Sequence, residues 1–231
     1  YSSEGTAALC KILLPDSAHL QEEDAKFANR HGTSKHKPAL PLYTTQDAHA
    51  CLEQFKPIPM ERVTALADDV SFTLRRAGHV LGASFVRFDS PGLSVTFTGD
   101  LGRSDDAILK EPAVPLATDY LVCESTYGDR THPRVDTERE LMQWLPSAIE
   151  RGGVTVIPAF AVGRAQALLL HIARLKRRGE LADVPVYLDS PMAIEATKIY
   201  ARHRELFDDE MVRFVRERPL RDDLRSMKLT T

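Results

Sequence analysis

Cysteine is scarce in this chain: three in 231 residues, at Cys10, Cys51 and Cys123. An odd, widely spaced set excludes a disulfide scaffold. Each cysteine sits in apolar or helical surroundings, which predicts buried free thiols and a reducing, cytoplasmic setting. No CxxC pair occurs, so a structural zinc knuckle is excluded too. No apolar run approaches the roughly 18 residues a membrane-spanning helix needs, and no membrane partner is expected. The first residues, YSSEGTAALC, lack the basic start and apolar core of a secretory signal. A chain opening on Tyr1 without methionine is expected to be a fragment or a processed product. Net charge is only −3, which excludes a uniformly basic nucleic-acid binder.

What is present is ordinary globular composition, 43% hydrophobic and 27% charged, with an uneven charge. Residues 1–128 hold 12 Lys+Arg against 17 Asp+Glu, a net −5; residues 129–231 hold 18 against 16, a net +2, and 15 of the 18 are arginine. Arginine forks suit phosphate, although solvated helix faces are also arginine-rich. Helical spacing predicts helices over Glu4 to Leu14 and Ala18 to Asn29, broken at Pro15-Asp16-Ser17, and another over Gln46 to Phe55. From Ile58 the period changes to two, with strands at Val70 to Leu74, Ser84 to Phe88, Leu93 to Thr98 and Tyr120 to Cys123.

The second half alternates. A helix is predicted over Val135 to Arg151, with Leu141, Trp144, Leu145, Ala148 and Ile149 inward, Pro146 kinking it and Gly152-Gly153 ending it. A short buried strand follows at Val154 to Pro158, then a helix over Arg164 to Arg178 and a strand at Val186 to Leu188. Ser190-Pro191 reads as the N-cap and first residue of a further helix. Strand–helix alternation implies a parallel sheet. The expected organisation is a β-rich unit over 1–128 and an α/β unit over 129–231.

One stretch carries chemistry. Leu93 to Thr98 ends in Gly99-Asp100-Leu101-Gly102, and His79 stands beside Gly78 twenty-one residues before Asp100. The turn Ser90-Pro91-Gly92 makes a hairpin whose register sets Asp100 opposite about residue 82. His79 and Asp100 then meet at one edge of the sheet. Gly78, Gly82, Gly99 and Gly102 let the backbone bend and a ligand approach. The strand Tyr120-Leu121-Val122-Cys123 also runs into an acid, Glu124. Imidazole beside carboxylate is a partial site for zinc or a similar metal. A hydrogen bond tying two loops together would use the same pair.

GHVLGAS, TGDLGR and CESTYG, in that order, resemble the metallo-β-lactamase fold, and specifically its β-CASP branch of RNA- and DNA-processing nucleases. IPAFAVGRAQ and YLDSPMA resemble the α/β insertion that defines the branch. The implied architecture is α/β: part of a metallo-β-lactamase αββα sandwich, then part of a β-CASP-type parallel α/β domain. The resemblance implies that His79 ligates one zinc, that Asp100 bridges two, and that Glu124 orients a catalytic histidine. It implies two-metal hydrolysis of RNA held in the cleft between the lobes, and it leaves room for a homodimer. The HxHxDH motif that supplies most ligands is absent, as are the later histidines. The expected chain is therefore a piece lacking the preceding and following segments, inactive alone.

Arg164 opens a helix after a strand and is a candidate phosphate contact, with loop capping equally open. Phe160 reads better as a core residue than as a base-stacking one. His132, His171 and His203 read as surface or structural, the acids around His19 as a solvated helix face, and Arg174-Leu-Lys-Arg-Arg as a complement to a helix C-terminus. Two other readings stand beside the nuclease: a non-catalytic β-CASP scaffold subunit, and a small-molecule hydrolase of thioester type.

Overall fold

The computed structural model describes residues 1–131, 133, 135–224 and 227–229; His132 lies outside them. Helix α1 spans Glu4–His31, opened by the Ser3 hydroxyl accepting from the Thr6 N–H and closed by Gly32 in the left-handed conformation. It is one helix, not two. Pro15 removes one backbone donor, but α1 packs along α2 (Thr45–Glu53), with Ala18 fully buried and Ser17 sharing a 2.6 Å hydroxyl bond with Tyr43. That packing carries the helix through the proline. A capping box of Thr44 and Asp47 starts α2.

Five strands follow: β1 Val63–Ala67, β2 Val70–Arg76, β3 Ser84–Ser90, β4 Leu93–Phe97 and β5 Tyr120–Val122. They lie in that spatial order, antiparallel through β4 and parallel between β4 and β5. The parallel step requires a crossover, and residues 101–119 supply it. This segment lies against the hydroxyl-rich face of the sheet: the Ala113 N–H donates to the Arg76 carbonyl, Arg87 donates to the Ala117 carbonyl, and the Asp119 carboxylate accepts from the Ser94 N–H and hydroxyl at 2.7 Å each. Those two bonds hold the Asp119 carboxyl below its usual range. So Ser94, Thr96 and Thr98 of the β4 region are the buried residues, while Leu93 and Phe97 stand exposed. The strand's apolar alternation predicts the reverse. On the apolar face Tyr1, Phe72, Phe88 and Phe97 form a row of ring contacts, and cover runs out toward β5, whose three residues are exposed.

The second half holds α3 Thr137–Glu150, α4 Arg164–Arg177, β6 Val186–Leu188, α5 Pro191–Arg202, α6 Asp209–Glu217, α7 Leu220–Asp223 and β7 Met227–Leu229. Strands β6 and β7 pair in parallel. Residues 154–158 form no strand, and Val154 and Val156 are exposed. Strand propensity needs a neighbour to pair with, and here β6 has only β7 among the described residues. Trp144 is 70% exposed, because Leu145, one residue further round α3, is the one that faces α4. Cys51 and Cys123 are exposed and Cys10 is half-buried, all three free.

One hydrophobic cluster crosses residue 128. It joins Leu9, Leu81, Ile108 and Leu109 to Leu170, Ile199, Tyr200, Phe207 and Met211. Backbone bonds follow the same line: the Asp208 N–H donates to the Ile108 carbonyl and the Lys110 N–H to the Leu206 carbonyl. Leu170→Ala, at a fully buried position, is expected to cost about 2–5 kcal/mol. It is also expected to lower amide-exchange protection at Leu9 and Leu81. Protection lost only within 129–231 would show that the two halves unfold separately.

Candidate metal and nucleic-acid site

Strands β3 and β4 pair Ser90 with Leu93 and Val86 with Phe97, one residue from the register that the turn predicts. The strand ends therefore bring His79 and Asp100 together, with His79 Nε2 3.8 Å from Asp100 Oδ2. Both side chains reach solvent, at 47% and 71% exposure. Their backbones do not share that freedom. An added Cβ on Gly102 would run into the Gly78 carbonyl and the His79 amide, so these two turns are stacked backbone on backbone. The Gly102 N–H donates to the Ala77 carbonyl at 2.8 Å. On the other side, Gly82 has φ +80 and presses against Gly5 and Thr6 of α1. Its carbonyl accepts from the Ser3 hydroxyl at 2.6 Å and the Thr6 hydroxyl at 2.9 Å.

Glu124 is bonded to the turn that carries Asp100. Its Oε1 accepts the Leu101 N–H at 2.8 Å, and Oε2 accepts the Thr126 N–H at 3.3 Å. The Leu101 bond, with smaller pulls from Thr126 and His79, holds the Glu124 carboxyl below its ordinary range. Thr98 ties the two strand ends. Its hydroxyl accepts the Glu124 N–H at 3.0 Å and donates to the Gly99 carbonyl at 2.8 Å. Neither the Leu101 amide nor Thr98 stands out in the sequence as functional. The available signal was a hydroxyl residue at a buried alternation point just before Gly99.

Two donors on one zinc at bond lengths of about 2.0–2.2 Å lie about 3.4 Å apart in tetrahedral geometry. The His79–Asp100 separation is close to that. A zinc site takes three or four protein ligands, and no group of three or more His, Cys, Asp or Glu converges among the described residues. The pair by itself is thus too small to be a zinc site.

Arg164 is the first residue of α4 and is exposed. Gly163 precedes it as N-cap, with its N–H on Gln166 Oε1 at 2.7 Å. Phe160 is 85% exposed rather than in the core, since the segment before α4 lies on no sheet. His171 bonds Glu138 at 3.0 Å and His203 bonds Glu205 at 2.9 Å; both are structural, as expected. The cluster at 174–178 is also accounted for. Arg174 pairs with Glu138 and Glu210, Arg177 with Asp223, and Arg178 with Glu138 and Glu180.

The rim gathers a histidine, an aspartate and a glutamate at neighbouring strand ends, metal-compatible and acid–base side chains in one place. Residues 165–231 match the Beta-Casp domain family. Ribonuclease TTHA0252 of Thermus thermophilus is 31% identical over 212 residues, covering 91% of this chain and 44% of that protein. Endoribonuclease YSH1 of Gibberella zeae is 33% identical over 222 residues, covering 94% and 25%. Transcription termination factor FttA of Methanosarcina mazei is 38% identical over 166 residues, covering 69% and 26%. Residues 165–231 thus belong to the Beta-Casp domain family, and over nine-tenths of the chain is similar in sequence to these two ribonucleases. The chain spans less than half the length of these relatives.

A depressed carboxyl stabilises its bonds above its unfolded value and loses them as pH falls through the folded one. The Leu101 amide is therefore expected to stay protected at pH 6–7. It is expected to lose protection only below the ordinary glutamate value of about 4.3. Glu124→Ala should abolish this protection at every pH. Leu101 exchange that is indifferent to both would remove Glu124 from this role.

Proposed function

We propose that the protein is a metal-dependent phosphodiesterase acting on RNA, and that residues 1–231 carry part of its catalytic rim and part of its RNA-binding lobe. The observation that carries this reading is the His79–Asp100 pair at 3.8 Å on the hairpin rim, with Glu124 bonded to the Leu101 N–H of the same turn. The ribonuclease names of two relatives support RNA as substrate. We assign zinc as the metal, two ions in the complete protein, which His79 and Asp100 would help to hold. Bound ions of this kind lower the pKa of water and stabilise charge on the attacking and leaving oxygens. This chain's residues have other tasks. Asp100 and His79 present donors, and Glu124 holds the Asp100 turn while offering an acceptor for a general-acid histidine.

The finer architecture, an αββα sandwich over 1–128 and a β-CASP α/β unit over 129–231, belongs to the same proposal. The open apolar face of the sheet supports it, since a second sheet packed there would bury Phe97, Tyr120 and Val122. Arg164 and the α4 N-terminus are assigned to backbone phosphate. No helix is long and apolar enough to cross a membrane among the described residues. The three free thiols suit a cytoplasmic setting. Nothing here or in the relatives supports a homodimer.

Residues 1–231 alone are expected to cleave no RNA, because two donors hold zinc poorly. Zinc-dependent cleavage by this chain, abolished in His79→Ala, would refute that. In the longer protein, His79→Ala should lower kcat/KM by at least about 100-fold, since loss of a mere hydrogen-bond partner behind a ligand costs 10–100-fold. Arg164→Ala should weaken RNA binding evenly across sequences and reduce the slope of log K against log salt by about 0.7 if it neutralises one phosphate. An unchanged slope would remove Arg164 from the interface.

A further inference from the structure

The loop carrying His79 is gripped from three sides, and one grip comes from the far half of the chain. Leu81, two residues beyond His79, is fully buried in the cluster that joins the halves. Its N–H donates to the hydroxyl of Tyr200 on α5, at 3.4 Å. Tyr200 is itself 4% exposed. Gly163, the N-cap of α4, closes the same corner: a Cβ there would lie 3.8 Å from Val80 Cγ1 and 3.9 Å from the Tyr200 hydroxyl. A phenylalanine would fill the space of Tyr200 equally well. Only the hydroxyl supplies an acceptor to the buried Leu81 amide, and a buried amide without one is costly.

We propose that Tyr200 is a positioning residue. From the second half of the chain its hydroxyl fixes the Leu81 amide and, with Gly163 against Val80, sets where the His79 imidazole points relative to Asp100. The role as a positioner for metal chemistry rests on His79 being a ligand. It gives the α/β half a part in building the rim, beyond covering it. It also joins two sites: Arg164 follows Gly163 directly, so a phosphate held at the α4 N-terminus would bear on the backbone that touches Val80.

The test is Tyr200→Phe in the 231-residue chain, observed by amide exchange and by the ring nitrogen resonances of His79. Leu81 exchange is expected to rise roughly fivefold, the factor for losing one typical buried hydrogen bond. The His79 ring signals are expected to shift, while the sheet amides of Val86 and Val95 stay as they were. Unchanged Leu81 exchange with unchanged His79 signals would overturn the proposal. So would a uniform rise at all core amides, which would make Tyr200 a packing residue only. Zn2+ titration of the longer protein and its His79→Ala variant tests the ligand assignment separately. If uptake is equal in both, that assignment fails while the Tyr200 effect on His79 stands or falls on its own spectra.

Discussion

The seat of the turn from Ala77 to Ala83 is the constraint on which the rest depends. Helix α1 reaches it with Ser3 and Thr6, both bonded to the Gly82 carbonyl. The Asp100 turn reaches it through Gly102, stacked on Gly78. Helix α5 reaches it through Tyr200. The first two approaches are close enough that a side chain larger than hydrogen at Gly82 or Gly102 would push them off. The loop is therefore a junction of three elements and not a surface excursion, and its only outward-going side chain of chemical note is His79.

The proposed RNA contact draws on the arginines of the second half. Its positive charge looked available in the sequence, but α4 spends most of it internally. Arg177 and Arg218 converge on the fully buried Asp223 carboxylate, and Arg177 also stacks on Phe214 with its guanidinium 3.4 Å from the ring centroid. Buried ion pairs of this sort fix geometry more than they add stability. Here they fix the C-terminal end of α4 against α6 and α7. Arg164, the exposed first residue of α4, takes no part in that network.

The sequence showed some of this and hid the rest for identifiable reasons. The His79–Asp100 meeting was legible because a hairpin register is local: one turn at Pro91-Gly92 sets every pair up to the rim. Burial was less legible because it depends on distant partners. Residues 154–158 have strand propensity but no adjacent strand among the described residues, so they form no strand and stay exposed. Pro15 looked like a break, yet α2 and a buried Ala18 hold α1 together across it. Tyr200 left a faint signal, a hydroxyl on the apolar stripe of Ile194, Ala196 and Ile199. A buried tyrosine oxygen needs a partner, but pattern alone could not say that the partner lies 119 residues away.

The contrast between backbone and side chain at the rim bears on whether His79 and Asp100 form a mere loop tie. A structural histidine–carboxylate bond is short, as with His171 and Glu138 at 3.0 Å, where both side chains are also sheltered at 15% and 19% exposure. His79 and Asp100 stand 3.8 Å apart with most of the carboxylate in water, a poor contact for holding anything together. Around them the fold places bonds on the backbone instead: Leu101 on Glu124, Glu124 on Thr98, Leu81 on Tyr200, Gly102 on Ala77. Fixed backbones under free donor tips are what a ligand site requires, since a metal or substrate must find the donors already aimed. A loop tie would need the opposite arrangement, with tips engaged and backbones left to follow.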